Sequence, residues 1–360
     1  MPDGDVQLYS ARPTLRIDGQ QNDRVDQQIV EMTMREQVGG LSSAEVRLLD
    51  STSGQDGVES FSFGDGATFK LGCELRLYAG MTTTPQEIFR GKVSAVEVTI
   101  GADGPPTFAV LAEDALQKAR KNRISATYEQ SSPADVVRTV ASRLGLTAQV
   151  ADGLDAPTCT WVQVNESDLA FLRRILERFD ADMQMVGDTL QVGPRGRESR
   201  GTLDLIYGQN LLRLRATADL ADVAPSVRVS GWDPRQGSTV TSTATSGTLG
   251  PGSGRAGKDL VAQALDSSRV EHVGIAGELS QQEADAVAKA LFARRARRFV
   301  RAHGTAQGNP KLRVGAWVNL IGVNPMLATA CTVVEASHRF DQTQGYTTDF
   351  VAESAYMGGP

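Results

Sequence analysis

Short runs of apolar and β-branched residues, separated by glycine, asparagine and proline, recur along most of the chain. The clearest run alternates Ala44, Val46 and Leu48 with charged residues. Such alternation produces a strand with one face buried and the other in water. Several short strands with turn signals between them favour a closed or nearly closed antiparallel barrel. The pattern therefore predicts a mainly β protein that begins with a barrel over residues 1–120.

The composition is that of an ordinary soluble globular protein. With 360 residues, 40% hydrophobic and 22% charged, the chain is long enough for several packed domains. It has no apolar run long enough to span a bilayer, and its first residues lack the basic region and apolar core of a signal peptide. We therefore expect a protein made in the cytoplasm, without a direct membrane anchor. The net charge of -6 argues against nucleic acid as the main partner.

The residue types that carry catalysis and metal binding are scattered. No zinc spacing, His-Glu-x-x-His or Gly-x-Ser-x-Gly pattern occurs. We expect Cys73, Cys159 and Cys331 to be small buried residues. His338 is expected to pack or to form hydrogen bonds, and the neighbouring carboxylates of Glu113 and Asp114 to be solvated or capping. The sequence therefore predicts no enzyme activity, no metal and no cofactor.

One segment imitates a phosphate-binding loop. Gly252, Gly257 and Lys258 have the required spacing, but Asp259 occupies the position of the Ser or Thr that would hold magnesium. No predicted strand leads into the segment, and an aspartate would repel phosphate. We therefore expect no nucleotide to bind there.

The middle of the chain predicts an α/β module at 121–202. Ser132 and Pro133 are N-terminal helix signals, and Gly145 ends the apolar stripe that follows them. A second helix opens at residues 165–168, and a hairpin with a Gly187-Asp188 turn follows it.

A Ser, Thr and Gly-rich stretch, residues 236–258, predicts a mobile loop or linker, because it offers little apolar area to bury. Ser280 and Glu283 then form a capping box that predicts a helix through Arg301. Its last turns are crowded with arginines, which the helix dipole favours. These are Arg294, Arg295, Arg297, Arg298 and Arg301. A solvated helix, a subunit interface, and a nucleic-acid or membrane face are the alternatives.

Two groups of residues resemble those of a known family. The C-terminal group is Gly308 to Pro310, His338 to Asp341 and Gly345 to Phe350. The second group is Ser167, Asp168, Phe171, Leu172 and Arg174. Both resemble recurring phrases of phage late control protein D and the baseplate hub proteins of contractile injection systems, and of the front, hub part of type VI secretion spike proteins.

The resemblance implies an α+β, mainly β fold with two tube-protein-like antiparallel β-barrels. The implied parts are a first barrel at 1–120, the α/β module at 121–202, a second barrel at 203–235 and 308–360, and an insertion at 236–307 with the flexible linker and the arginine-rich helix. Trp232 is expected at the end of a strand, where its ring can cap a barrel.

The implied function is structural. A homotrimer would form a pseudo-six-fold ring that adapts the hexameric inner tube to the trimeric spike, in contact with baseplate wedge proteins. The protein would assemble in the cytoplasm and then become part of the tail or baseplate of a phage-like or extracellular injection particle. The candidate motif and interface residues are Trp232, Arg294, Arg298, Trp317, Phe340, Gly345, Tyr346, Thr347, Thr348 and Phe350. The alternatives are a peptidoglycan hydrolase component of a tail and a non-enzymatic binding or adhesion module.

Overall fold

Antiparallel strands dominate the fold, as the sequence pattern predicts. The computed structural model describes residues 12–53, 59–64, 66–81, 84–264 and 269–358. Within these ranges, thirteen strands join one large sheet, and smaller sheets and helices pack beside it. The α+β, mainly β class is therefore confirmed.

The first part of the chain supplies one half of the large sheet. Its elements are β1 (Thr14–Ile17), β2 (Gln20–Gln21), α1 (Asp23–Gln28), β3 (Ile29–Gln37), β4 (Ser43–Leu49), β5 (Thr52–Ser53), β6 (Glu59–Ser60), β7 (Glu74–Met81), β8 (Thr84–Gly101) and β9 (Gly104–Glu113). The apolar members of the alternating pattern, such as Met32, Val46 and Leu77, face one core. The polar members cover the opposite face, which is exposed to solvent.

The predicted α/β module follows. Its elements are α2 (Gln117–Lys121), β10 (Arg123–Ser131), α3 (Pro133–Leu144), β11 (Thr147–Val150), β12 (Cys159–Ser167), α4 (Asp168–Arg178), β13 (Ala181–Val186) and β14 (Thr189–Pro194). Ser132 caps α3 in a capping box, and Gly145 ends this helix in the left-handed conformation. Ser167 caps α4 through the backbone N–H of Ala170. Both predicted helices and the predicted hairpin are therefore confirmed.

The rest of the chain completes the large sheet and adds a separate layer. Its elements are β15 (Thr202–Ile206), β16 (Leu211–Ala218), β17 (Ser226–Asp233), β18 (Ser238–Ala244), β19 (Arg255–Ala256), α5 (Gly257–Ala264), β20 (Val270–Glu278), α6 (Gln281–Arg297), β21 (Val300–Gln307), β22 (Trp317–Ile321), a 3₁₀ turn (Pro325–Leu327), β23 (Ala330–Asp341), β24 (Gly345–Ser354) and β25 (Tyr356–Met357).

Three details of the predicted organisation are wrong. The predicted linker contains β18, which pairs with β17 and buries Val240 and Ala244 in a core shared with α6. β17, which was predicted as part of the second barrel, lies instead in a three-stranded sheet with β18 and β20, and we call this the small sheet. β21 was predicted as part of the insertion but belongs to the large sheet. The helix predicted to run through Arg301 therefore ends at Arg297, and Arg301 lies in β21. The physical reason is that each of these strands is fixed by hydrogen bonds to partner strands elsewhere in the chain. The local composition of a segment carries no information about such partners.

The large sheet repeats one strand order. Eight of its strands run β16-β21-β24-β23-β3-β4-β9-β8, and all seven neighbouring pairs are antiparallel. Numbered along the chain, β3, β4, β8 and β9 lie in the order first, second, fourth, third. β16, β21, β23 and β24 lie in the same order and the same direction. The third strand of the later set, β23, pairs with the first strand of the earlier set, β3.

Candidate functional site

The C-terminal motif residues lie where the two four-stranded sets meet. Gly308 is buried directly against the ring of Tyr346: a Cβ atom on Gly308 would lie 2.0 Å from Cδ1 of that ring. The Gly308 amide also donates to the Tyr346 carbonyl at 2.9 Å. Glycine is therefore needed here because of a close approach between β24 and the segment that follows β21.

Three polar groups of the motif form one buried set. The Tyr346 hydroxyl lies 2.7 Å from Nδ1 of His338, and the Thr348 hydroxyl lies 3.2 Å from the same nitrogen. Thr348 also accepts a hydrogen bond from the Asn309 amide at 3.2 Å. The predicted hydrogen-bonding role of His338 is confirmed, and the separated parts of the motif meet in one place.

An ion pair between a buried glutamate and a half-buried arginine lies beside this set. Arg313 donates to Oε2 of Glu36 at 2.6 Å, and the Val314 amide donates to Oε1 at 2.6 Å. Glu36 comes from β3 and Arg313 from the segment between β21 and β22, so the pair ties the earlier set of strands to the later one. We call Gly308, Glu36, Arg313, His338, Tyr346 and Thr348 the joint.

Burial and the charge of Arg313 together set the protonation states of the joint. Burial by itself would raise the pKa of Glu36, but the charge and hydrogen bonds of Arg313 outweigh it and hold this pKa below its ordinary value. Burial, helped by the charge of Arg313, lowers the pKa of His338 to about 3. Burial raises the pKa of the Tyr346 hydroxyl. At neutral pH the joint therefore contains an ionised glutamate and arginine beside a neutral histidine and tyrosine.

The apolar motif residues complete the joint. Phe340 and Tyr346 are part of the first core, whereas Phe350 lies in the second. The Pro310 ring packs against Gly80 of β7 so closely that a Cβ on this glycine would lie 2.8 Å from Cγ of the proline. The three aromatic rings are buried, and together with the half-buried Pro310 they hold the two halves of the sheet against each other.

The other candidate residues do not gather in one place. Gly345 has a φ of +72° at the start of β24, and Thr347 is half-buried on the polar face of the sheet. Trp317 is half-buried in β22. Trp232 is 51% exposed at the end of β17, in the small sheet: its place at the end of a strand agrees with the prediction, and the capping of a barrel by its ring stays a prediction.

The arginines around the end of α6 mostly bind carboxylates of the same chain, which is an alternative that the sequence did not raise. Arg294 pairs with Glu177 at 2.9 Å, Arg295 with Glu271 at 2.7 Å, and Arg301 with Glu335 at 3.9 Å. Arg297 is 2% exposed, pairs with Asp180 and donates to the Thr248 carbonyl at 2.6 Å. Arg298 is exposed, and no described residue pairs with it.

Sequence reasoning missed the contact between the α/β module and the first set of strands. Arg173 of α4 donates to the carbonyls of Gly39 and Gly40, each at 2.8 Å. Asp114 accepts from the amides of Ser42 at 2.7 Å and Leu116 at 2.8 Å, which confirms the predicted capping role. Burial raises the pKa of Asp114 to about 6. The Gly39-Gly40 pair is the sequence feature that marks this contact, because both glycines have positive φ and expose their carbonyls in a tight turn.

The remaining reactive groups are dispersed in the described part of the chain. Within those residues no cluster of three or more His, Cys, Asp or Glu side chains could hold a metal ion. Cys73 and Cys331 are buried, as predicted, whereas Cys159 is half-buried, and all three thiols are free. None of the described helices combines the length and the apolar character needed to cross a membrane.

The neutral state of His338 predicts a pH dependence. Its pKa in the folded protein is about 3, below the ordinary 6.5, so the unfolded chain binds a proton between these values and the folded chain does not. Stability is therefore lost as the pH falls through 6.5, by about 2 kcal/mol between pH 7 and pH 5. His338→Gln should remove this part of the pH dependence in denaturant titrations.

Asp114→Asn is the matched control for that experiment. The pKa of Asp114 is raised to about 6, so its contribution to stability falls as the pH rises through that value. Replacing Asp114 should change the slope of the free energy of unfolding against pH, between pH 7 and pH 5, in the direction opposite to the change caused by His338→Gln. Equal slopes for wild type and His338→Gln would contradict the assignment of a neutral buried histidine.

Both the sequence and the fold match known proteins. The family model described as the Alg8 N-terminal domain matches residues 10–341, which is more than half of the chain. The chain belongs to this family. No curated protein matches the sequence.

Solved structures share the fold of this member of the Alg8 N-terminal domain family. The 43 kDa tail protein of prophage MuSo2 from Shewanella oneidensis is 12% identical with a TM-score of 0.68, and the match covers 95% of this chain and 97% of that one. A tail protein from Neisseria meningitidis MC58 is 12% identical with a TM-score of 0.67, over 97% of this chain and 100% of that one.

A third structure comes from a secretion system. The E. coli c3393 protein is a component of the type VI secretion system with structural similarity to the T4 bacteriophage tail proteins gp27 and gp5. It is 12% identical with a TM-score of 0.58, and the match covers 96% of this chain and 79% of that one. The chain therefore has the fold of phage tail and type VI spike-related proteins, as the motif resemblance implied.

Proposed function

We propose that this protein is a structural baseplate hub of a contractile injection system or phage tail. It would form a trimeric, pseudo-six-fold ring between a hexameric inner tube and a trimeric spike. The observation that carries the proposal is the repeated strand order of the large sheet, because each copy presents two similar four-stranded sets, joined head to tail. Three copies would present six such sets around an axis, which matches a six-fold partner on one side and a three-fold partner on the other.

The joint has a clear part in this role. A symmetry adaptor needs its two repeats held at a fixed angle, and the ion pair of Arg313 with the buried Glu36, together with the contact of Gly308 and Tyr346, connects them. The function is then mechanical. The exposed polar face of the sheet carries acidic and basic side chains such as Glu31, Arg35 and Arg339, which suits a surface in contact with water or a passing cargo.

The proposal extends to the domain division and to the surroundings. We propose that the two four-stranded sets are the inner walls of tube-like domains. The α/β module at 121–202 separates these domains along the chain. The partners would be a spike protein, an inner tube protein and baseplate wedge proteins. The place would be a phage-like or extracellular particle assembled in the cytoplasm. The fold shared with tail proteins supports this, and the candidate residues Trp232 and Arg298, both exposed, are proposed contacts with partners.

The decisive measurement is native mass, for the purified chain alone and for the chain co-expressed with a candidate trimeric spike protein. We expect three times the chain mass of 38.5 kDa, alone or in a complex that is three-fold in both proteins. A strict monomer in both preparations would overturn the proposal. An assay of the same preparations on peptidoglycan separates this role from that of a tail-associated hydrolase.

A further inference from the structure

The last part of β8 has an unpaired edge. β7 pairs with β8 only as far as Lys92, whereas β8 continues to Gly101 with β9 on its other side. No strand in the described ranges pairs with the outer edge of residues 94–101, and all eight of these residues are exposed. A long free edge invites pairing with another chain.

The free segment carries an apolar stripe. Val96 is 40% exposed, Val98 is 51% exposed and Ile100 is 66% exposed. Val96 and Val98 lie opposite the buried Val110 and Phe108 of β9, so the stripe is on the face of the sheet that elsewhere covers the core. Within one copy, the apolar face of the sheet therefore continues past the residues that cover the core, and its last part is exposed to solvent.

The repeated strand order indicates what belongs beside this edge. β23 is the counterpart of β8, since each is the third strand of its set, and β23 also divides its pairing. Its first residues pair with β22, as those of β8 pair with β7, and its last residues, from Glu335 to Asp341, pair with β3. β3 is the first strand of the other set. The matching neighbour of the free β8 segment is therefore a strand equivalent to β16, the first strand of the later set.

β16 has the properties that this neighbour needs. It lies at the end of the sheet, paired with β21 alone apart from an isolated bridge between Tyr207 and Leu211. It has eight residues, as has the free segment of β8. Leu212 of β16 is 51% exposed, and Tyr207 just before the strand is 61% exposed.

The charges of the two edges are complementary. The β8–β9 ribbon, residues 94–107, contains Glu97 and Asp103 and no basic residue. β16 contains Arg213 and Arg215 and no acidic residue, and both arginines are exposed. Neither arginine has an ion-pair partner among the described residues, which leaves both free for an acidic neighbour.

We infer that residues 94–101 of β8 pair antiparallel with β16 of a neighbouring copy, burying Val96, Val98 and Ile100 against that copy's second core. The contact is heterologous and repeats the β23–β3 pairing between chains. It rests on the proposed ring, because only a closed ring satisfies both edges in every copy. It adds the surface that holds the ring together.

Charge reversal tests the inference. Arg213→Glu/Arg215→Glu should raise the concentration needed for half-assembly by about tenfold or more, measured by light scattering over a dilution series. Adding Glu97→Lys should recover much of the loss. The control Arg24→Glu/Arg123→Glu makes the same change in charge at two exposed positions away from both edges and should leave assembly unchanged. Equal effects of both double variants, with no recovery by Glu97→Lys, would overturn the inference.

Crosslinking gives an independent readout. Opposed residues of antiparallel strands lie about 4.5 to 5.5 Å apart at Cα, within the range of a disulfide. A chain with Glu97→Cys and one of Arg213→Cys, Arg215→Cys or Thr217→Cys should form covalent oligomers in one register only. A trimer that binds its spike partner but forms no crosslink in any register would overturn the inference and leave the proposed function intact. If the wild-type protein were a monomer under all conditions, both the inference and the proposed function would be overturned.

Discussion

Gly308→Ala should destabilise the protein by about 3 kcal/mol, the upper part of the range for overpacking a core. A Cβ atom at this position would lie 2.0 Å from Cδ1 and 2.2 Å from Cγ of Tyr346, inside the van der Waals distance of a ring that is itself 2% exposed. Neither the ring nor β24 has room to move, since Tyr346 is held to His338. Chemical denaturation at fixed protein concentration measures the change.

Gly274→Ala is the matched control. Gly274 lies in β20, and no heavy atom is found within 4 Å of the position a Cβ would take. This substitution should be neutral or slightly stabilising, because alanine loses less backbone entropy on folding. In a Tyr346→Ala background, Gly308→Ala should cost much less than in wild type, since the clashing ring is gone. Equal costs in the two backgrounds would contradict the assigned contact.

Arg313→Met should cost about 3 to 5 kcal/mol at neutral pH, because it leaves the buried carboxylate of Glu36 without its cation. Glu36 is buried and accepts its other hydrogen bond from the Val314 amide. With Arg313 present the pKa of Glu36 is lowered, so its contribution to stability is lost as the pH falls. Without Arg313, burial raises this pKa, so the variant should regain stability on acidification toward pH 5.

The double variant Glu36→Gln/Arg313→Met should be more stable than Arg313→Met alone, because it removes the unpaired charge. Arg339→Met in the β23–β24 hairpin is the control: the pair of Arg339 with Asp349, at 3.4 Å, is largely exposed and should contribute less than about 1 kcal/mol. If Arg313→Met cost no more than Arg339→Met, the joint would not depend on this ion pair.

The C-terminal motif is visible in the sequence, whereas the surroundings of its side chains are not. Gly308, His338 and Tyr346 belong to the family motif, and Tyr346 is one of the candidate motif and interface residues. In the fold its ring is buried between the two sets of strands. A motif of spaced glycines and aromatics does not tell whether a ring contacts a partner subunit or the protein's own core, because both surroundings require a close-packed aromatic.

The arginines of α6 make the same point with charges. Five arginines near a helix end indicated a solvated helix or an interface. Arg297 instead neutralises Asp180, which lies 117 residues earlier in the chain. The prediction of a linker over the low-complexity stretch is wrong for a related reason: β18 buries only Val240 and Ala244, and its place in a sheet depends on β17 and α6.

The sequence by itself determined the local elements and the fold class. Helices α3 and α4, their serine caps, the Gly187-Asp188 turn and the alternating strands follow from interactions within about a dozen residues, which a linear pattern records. Only the tertiary structure decided the repeated strand order, the ion pair of Arg313 with the buried Glu36, and the free edges of β8 and β16. Glu36 and Arg313 are 277 residues apart, and such pairings depend on how distant strands meet in space.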